Sequence, residues 1–141
     1  MGYIYGTDTR AAFHRWGMPP MMRTLFPDAE DAHNAAVSAM KASYALNMHP
    51  RERTGAGADA ALGLSVFGHP LANPIAISAG LDKHAEIPDA LFALGAGIVE
   101  VGGCTPLPQE GNPRPRMFRL PGLDGLINRY GLNSHGADDM A

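Results

Sequence analysis

An aspartate and a lysine at the end of a run of small residues form the arrangement best suited to chemistry in this sequence: Asn73-Pro74-Ile75-Ala76-Ile77-Ser78-Ala79-Gly80-Leu81-Asp82-Lys83. Ile75, Ala76 and Ile77 make a short apolar run, Ser78 to Gly80 are small enough for a flat ligand to approach the backbone, and Asp82-Lys83 brings charge to the same end. This pattern predicts a buried strand with a site at its carboxyl end. Parallel sheets and α/β barrels place their ligands at that end of their strands, so a lysine there can meet an anion beside a cofactor. Taken alone, Ser78-Ala79-Gly80 suits tight strand-to-helix packing better than ligand contact, and Lys83 alone suits a solvated surface lysine.

Two later stretches add chemistry. Thr105 to Pro115, Thr-Pro-Leu-Pro-Gln-Glu-Gly-Asn-Pro-Arg-Pro, is too proline-rich for a helix or a central strand and predicts an ordered loop. Asn128-Arg129-Tyr130-Gly131-Leu132-Asn133-Ser134-His135-Gly136 crowds amide, hydroxyl and imidazole groups between glycines. Taken alone, Asn128 suits a hydrogen-bonded turn.

The totals narrow the classes. A formal net charge of -3 over 141 residues, with no basic block, argues against a nucleic-acid surface. The single cysteine, Cys104, can form neither an internal disulfide nor a cysteine-rich metal site, and we expect no metal. No run approaches the roughly eighteen apolar residues of a spanning helix.

The elements that must position these groups follow the hydrophobic periods. Thr9 to Trp16 predicts two helical turns that Pro19-Pro20 interrupts or restarts, carrying Phe13, Trp16, Met18, Met21, Met22, Leu25 and Phe26 between Arg10, Arg15 and Arg23. Asp28 is the expected N-cap of a second helix, with Glu30 and Asp31 in its first turn. Ala29, Ala32, Ala36, Met40 and Tyr44 recur at helical spacing, and Asn47 with Pro50 closes that helix. Residues 1–50 thus read as an α-helical hairpin, which suits either a packing subdomain or a module for membrane surfaces and lipophilic ligands. Residues 51–61 read as a linker. In residues 62–141, Leu62 to Phe67 predicts a strand and Gly68-His69-Pro70 a turn. Ile75 to Val101 then reads as strand, helix (His84 to Leu94) and strand (Ile98 to Val101), a βαβ unit. Met117 to Leu120 and Gly125 to Asn128 predict a hairpin around Pro121 to Asp124. A complete (β/α)8 barrel needs about 250 residues, so at most its first units fit here.

Three motifs stand in order: Ser78-Ala79-Gly80-Leu81-Asp82-Lys83; Thr105-Pro106 through Gln109-Glu110-Gly111-Asn112-Pro113-Arg114-Pro115-Arg116; and Asn128-Arg129-Tyr130-Gly131. Together they resemble dihydroorotate dehydrogenase, and the preceding helical hairpin resembles the extension of its membrane-associated, quinone-dependent class, from about Phe13 onward. The resemblance implies an α/β fold, the N-terminal part of a (β/α)8 TIM barrel preceded by the hairpin. It implies an FMN enzyme that oxidises dihydroorotate to orotate in pyrimidine synthesis and passes the electrons to ubiquinone. Ala79, Gly80, Leu81 and Asp82 would line the flavin, with Gly103 contributing its backbone N–H. Lys83 would meet the substrate carboxylate, Asn128 the pyrimidine ring, and Arg129, Tyr130, Gly131 and Leu132 would complete that wall. The family's catalytic base is a serine on a later loop, expected beyond Ala141, and neither Ser134 nor Cys104 occupies its motif.

For the hairpin, the resemblance implies a quinone tunnel walled by Met18, Met22, His33 and Ala36, with Arg119 where it nears the flavin. Taken alone, His33 suits a helix-surface histidine. The implied location is the mitochondrial inner membrane, where members carry a targeting sequence and one spanning helix ahead of the hairpin. Two residues depart from the family pattern. Gly103 replaces a serine or threonine, and Leu132 replaces a phenylalanine. The expected behaviour of the isolated chain is little or no turnover. A different reading is a non-catalytic remnant whose amphipathic hairpin binds membranes or a partner. A third is a soluble-class relative using fumarate or a nicotinamide cofactor, against which the hairpin argues.

Overall fold

The structure, a computed structural model, describes residues 12–51 and 60–141. The lead-in, the first residues of the predicted Thr9–Trp16 helix and most of the predicted linker lie outside them. A π-helical turn, Phe13–Gly17, runs into helix α1, Met18–Leu25. Pro19 and Pro20 fall in the first turn of α1, where a missing N–H costs nothing, so the prolines restart the helix.

Helix α2, Ala29–Ala45, begins where the sequence places it. The Asp28 carboxylate accepts the N–H groups of Glu30 and Asp31 at 2.8 and 3.0 Å, an N-cap in geometry as well as in residue type. At the other end Asn47 adopts φ 58°. Its N–H donates to the Tyr44 carbonyl at 3.0 Å, and the Met48 N–H donates to the Ser43 carbonyl at 2.8 Å. This is the Schellman arrangement, with asparagine in the left-handed position that glycine usually takes.

The described residues form two compact units. The first comprises those up to Ala35 together with Arg114–Arg129, and it holds strands β5, Met117–Leu120, and β6, Gly125–Asn128. These pair antiparallel, from Met117 opposite Asn128 to Leu120 opposite Gly125, around Pro121–Leu123 and a left-handed Asp124, as predicted. In this unit Arg116 grips the buried Glu30 at 2.8 Å, and Arg114 reaches Asp28 and Asp31 at 2.9 and 2.6 Å. The acidic first turn of α2 is thereby tied to the end of the proline-rich segment.

The second unit comprises Ala36–Pro113 and Tyr130–Ala141. Strands β1, Leu64–Val66, and β2, His69–Leu71, form a hairpin whose two-residue turn is Phe67-Gly68, with φ 51° and 83°. The predicted turn, Gly68-His69-Pro70, is corrected by one position. A turn with both central residues at positive φ matches the strand twist, so His69 and Pro70 join β2.

Strand β3, Ala76–Ile77, and strand β4, Ile98–Val99, pair in parallel and are joined through helix α3, Pro88–Ala93. The βαβ unit is present, with every element shorter than predicted. Neither strand is fully buried: Ala76 is exposed, and Ile77, Ile98 and Val99 are half-buried, because a two-stranded pair is covered on one side only. The core of this unit is Val37, Ile87, Ala90 and Leu91, with Met40, Tyr44, Ile77, Leu81 and Val99 packed against it. The stripe of α2 that enters it is Val37, Met40 and Tyr44, whereas Ala36 is exposed. Buried His49 adds to this packing, its Nε2 lying 2.8 Å from the carbonyl of Ala90 within α3. A last helical turn, α4, spans Ala137–Met140.

Candidate functional site

The site begins with Asp82, which is fully buried. Its carboxylate accepts the N–H groups of Glu86 and Ile87 at 2.8 and 2.9 Å, and its carbonyl accepts the Gly102 N–H at 2.8 Å. These bonds, with Ala85 at φ 56°, hold residues 82–87 as a loop and explain why α3 starts at Pro88 rather than at His84. They also spend the Asp82 side chain on the fold. Gly102 is required in turn: a Cβ there would lie 2.3 Å from the Lys83 carbonyl oxygen.

Lys83 is therefore fixed from both sides. Its ammonium donates to the Gly80 carbonyl at 2.8 Å and stands 4.9 Å from the centre of the Tyr130 ring. Tyr130 is buried, 9% exposed, and its carbonyl accepts the Asn112 N–H at 2.8 Å. The three sequence motifs thus converge within one unit: Lys83 from the first, Asn112 from the second, Tyr130 from the third. A cation held against an aromatic face and a carbonyl is fixed in direction, which suits recognition of an anion.

The second and third motifs are laced together by backbone. Gln109 and Ser134 exchange two N–H···O bonds of 2.9 Å. Gly111, at φ 74°, passes so close to Tyr130 that a Cβ would sit 2.2 Å from its carbonyl oxygen. Buried Ser134 accepts the N–H groups of Thr105 and Gly136 on its hydroxyl at 3.2 and 3.1 Å. That hydroxyl is committed to the loop.

Around Lys83, Ala79 and Leu81 are half-buried and Gly80 is exposed, with open space where a Cβ would stand. Gly103 is exposed too, and a Cβ on it would meet Leu132 Cδ1 at 3.0 Å. The two positions expected to depart from the family pattern are thus neighbours. Leu132 follows Gly131, the pair at φ 58° and 70°, and is 62% exposed.

Asn128 and Arg129 belong to the first unit. Asn128 ends β6 opposite Met117, and the Arg129 guanidinium donates to the Pro115 carbonyl at 3.0 and 3.3 Å. Met18, Met22, His33 and Arg119 also lie in the first unit, while Ala36 lies in the second. A cleft of about 330 Å³ in the first unit is lined by Pro27, Asp28, Ala29, Pro115, Met117, Phe118 and Arg119. Of the predicted quinone-site residues, Arg119 lines it, its guanidinium donating to the Pro27 carbonyl at 2.6 Å. Among the described residues no cluster of three metal-ligating side chains occurs.

Asp28 and His84 both titrate below their ordinary values. The N–H of Asp31, then the Arg114 guanidinium, hold Asp28 below the usual carboxylate range. Burial, reinforced by the neighbouring His135, holds His84 below the usual imidazole value. Sequence reasoning did not single out His84, His135, Asn133 or Gly102. The density of polar groups between Asn128 and Gly136 was the available signal for two of them.

Residues 61–141 match the family described as dihydroorotate dehydrogenase. The chain belongs to the dihydroorotate dehydrogenase family. It is 46% identical over 137 residues to the mitochondrial dihydroorotate dehydrogenase (quinone) of Kluyveromyces lactis, covering 97% of this chain and 30% of that protein. Its identity to the protein of the same name from Mus musculus is 46% over 134 residues, 95% of this chain and 32% of that one. The crystal structure of DHODH from Eimeria tenella in complex with ferulenol superposes with a TM-score of 0.71 at 39% identity, covering 82% of this chain and 29% of that one. The α/β fold is shared with this family. The chain spans about 30% of the length of the curated relatives it matches.

Proposed function

We propose that this chain is the N-terminal portion of a quinone-dependent dihydroorotate dehydrogenase, an FMN enzyme that oxidises dihydroorotate to orotate and delivers the electrons to ubiquinone. The observation that carries this reading is the Lys83 ammonium, held by the Gly80 carbonyl and the Tyr130 ring where the three family motifs meet. Names of the relatives supply the reaction and the acceptor.

The residues present fit a flat cofactor. Gly80 has open space beside it, Ala79 is small, and Gly103 exposes its backbone. Asp82 lends backbone position only, since its carboxylate is spent inside the loop. Bound FMN would supply the hydride acceptor. Lys83 binds the substrate carboxylate and so orients the ring to be oxidised, with the Tyr130 ring holding the ammonium in place. On the strength of the motif, Asn128 would offer an amide donor and acceptor to the pyrimidine, and Arg129, Gly131 and Leu132 would be further substrate contacts. The proton-abstracting serine belongs to a later loop of the barrel.

The quinone module is the segment of α1, the start of α2 and β5. Phe13, Trp16, Met21 and Leu25 are exposed apolar residues beside Arg15 and Arg23, a composition suited to a membrane surface. Among the described residues no helix is long and apolar enough to cross a membrane. Mitochondrial relatives support a mitochondrial location, and the family resemblance extends the proposal to the inner membrane.

The test is Lys83→Ala in the corresponding full-length enzyme. Loss of a charged hydrogen-bonding partner predicts dihydroorotate affinity roughly tenfold to a hundredfold weaker, with FMN retained. Unchanged affinity would remove the carboxylate contact and the reading with it.

A further inference from the structure

Next to Lys83 the chain carries a feature the proposed reaction does not use. The His84 and His135 rings are stacked face to face, with centroids 3.6 Å apart and planes within 4°. The His84 Nε2 lies 3.4 Å from the Asn133 amide, and its Nδ1 is buried without a hydrogen-bond partner. The His135 Nδ1 lies 3.0 Å from the Asp139 carboxylate. The stack joins the loop that begins at Lys83 to the segment that begins at Tyr130, the two residues whose approach defines the site.

We propose that the His84–His135 stack is a proton-sensitive clamp that positions Lys83 against Tyr130. The proposal rests on the reading of Lys83 as the anion-binding group. Two flat neutral imidazoles pack closely at this separation, whereas two imidazoliums would set like charges face to face. Protonation of His84 would also place an N–H on Nε2, facing the Asn133 amide nitrogen, itself a donor, so the one polar contact of the neutral ring would be lost. The charged groups facing His84 are Lys83 and Glu86 from its own loop and His135 and Asp139 from the C-terminal segment. Glu86 and Asp139 favour the cation, while Lys83, His135 and above all burial oppose it.

The sign follows from the direction of the shift. The folded His84 binds its proton less readily than the unfolded one, whose ordinary value is 6.5, so the unfolded state gains protons first as pH falls. The clamp is intact above that value and weakens below it. His84 and His135 are positioning residues here: they act on the anion through Lys83 and Tyr130.

The experiment is a pH titration of the full 141-residue chain by NMR, following the imidazole Cε1–H signals, the Lys83 amide and the Tyr130 ring protons. The Lys83 and Tyr130 signals are expected to move with the His84 midpoint. In His135→Phe, which keeps an aromatic stack and removes the second titrating ring, that midpoint is expected to shift to higher pH. Lys83 and Tyr130 signals indifferent to the His84 titration, or a midpoint unmoved in His135→Phe, would overturn the clamp. Should the variant fail to fold, the wild-type titration still decides between these outcomes. Orotate added on either side of the midpoint separates the two readings. Co-titration of Lys83 and Tyr130 without orotate contact at any pH upholds the clamp and sinks the anion site.

Discussion

At the scale of single residues, the glycines around Lys83 differ in what they do, and the difference can be measured. A Cβ at Gly102 would collide with backbone, 2.3 Å from the Lys83 carbonyl oxygen, and backbone held by the Asp82 bonds cannot yield cheaply. Gly102→Ala is expected to destabilise the chain by about 2–3 kcal/mol in urea unfolding. Gly80→Ala meets open space, so it should stay within about 0.5 kcal/mol of wild type. If the two variants lost stability equally, the close approach of Gly102 to Lys83 would not be the reason for its glycine. Gly103 is intermediate. Its would-be neighbour is the end of a flexible leucine, so the two expected departures from the family pattern form one steric couple. Neither substitution is therefore independent of the other, which sequence position alone does not reveal.

Helix α2 shows the element scale. Its start is written locally: Asp28 takes the Glu30 and Asp31 N–H groups, and the same turn receives Arg114 and Arg116. Asp28→Ala is expected to cost about 1 kcal/mol, the usual worth of an N-cap, while Asp28→Asn should recover most of it. The pH dependence has the same sign as that of His84, displaced to lower pH. The folded Asp28 carboxyl titrates below its ordinary value of 3.8, so the stability it contributes is full above that value and lost as pH falls through the folded one. Acid unfolding of wild type and Asp28→Ala should therefore converge at low pH, and parallel curves would refute the cap. Helix α3 teaches the converse. Ile87, Leu91 and Leu94 have helical spacing, yet the first turn is taken by the Asp82 carboxylate, a contact that periodicity cannot report.

For the whole molecule, the second unit is a βαβ unit whose core is closed on one side by α2 and whose site is closed by the laced loops. Under the proposed reading binding groups are present and the proton-abstracting group is not. The chain supplied with FMN, dihydroorotate and a quinone is expected to show no quinone reduction above background. Robust turnover would place the catalytic base within these 141 residues and overturn that assignment.

What was legible in the sequence was what near neighbours decide. The cap at Asp28, the restart at Pro19-Pro20, the β5–β6 hairpin and the order of strand, helix and strand all follow from residue type and spacing. Family membership was legible too, because three motifs in fixed order are improbable by chance. Contacts between distant segments were decided by tertiary structure. Only the fold shows that Asp82 holds Gly102, that Gly103 meets Leu132, and that His84 stacks on His135. A sequence pattern records which face an element buries, but the partner across the gap depends on where the backbone carries another segment some fifty residues away in the chain, such as His135 beside His84.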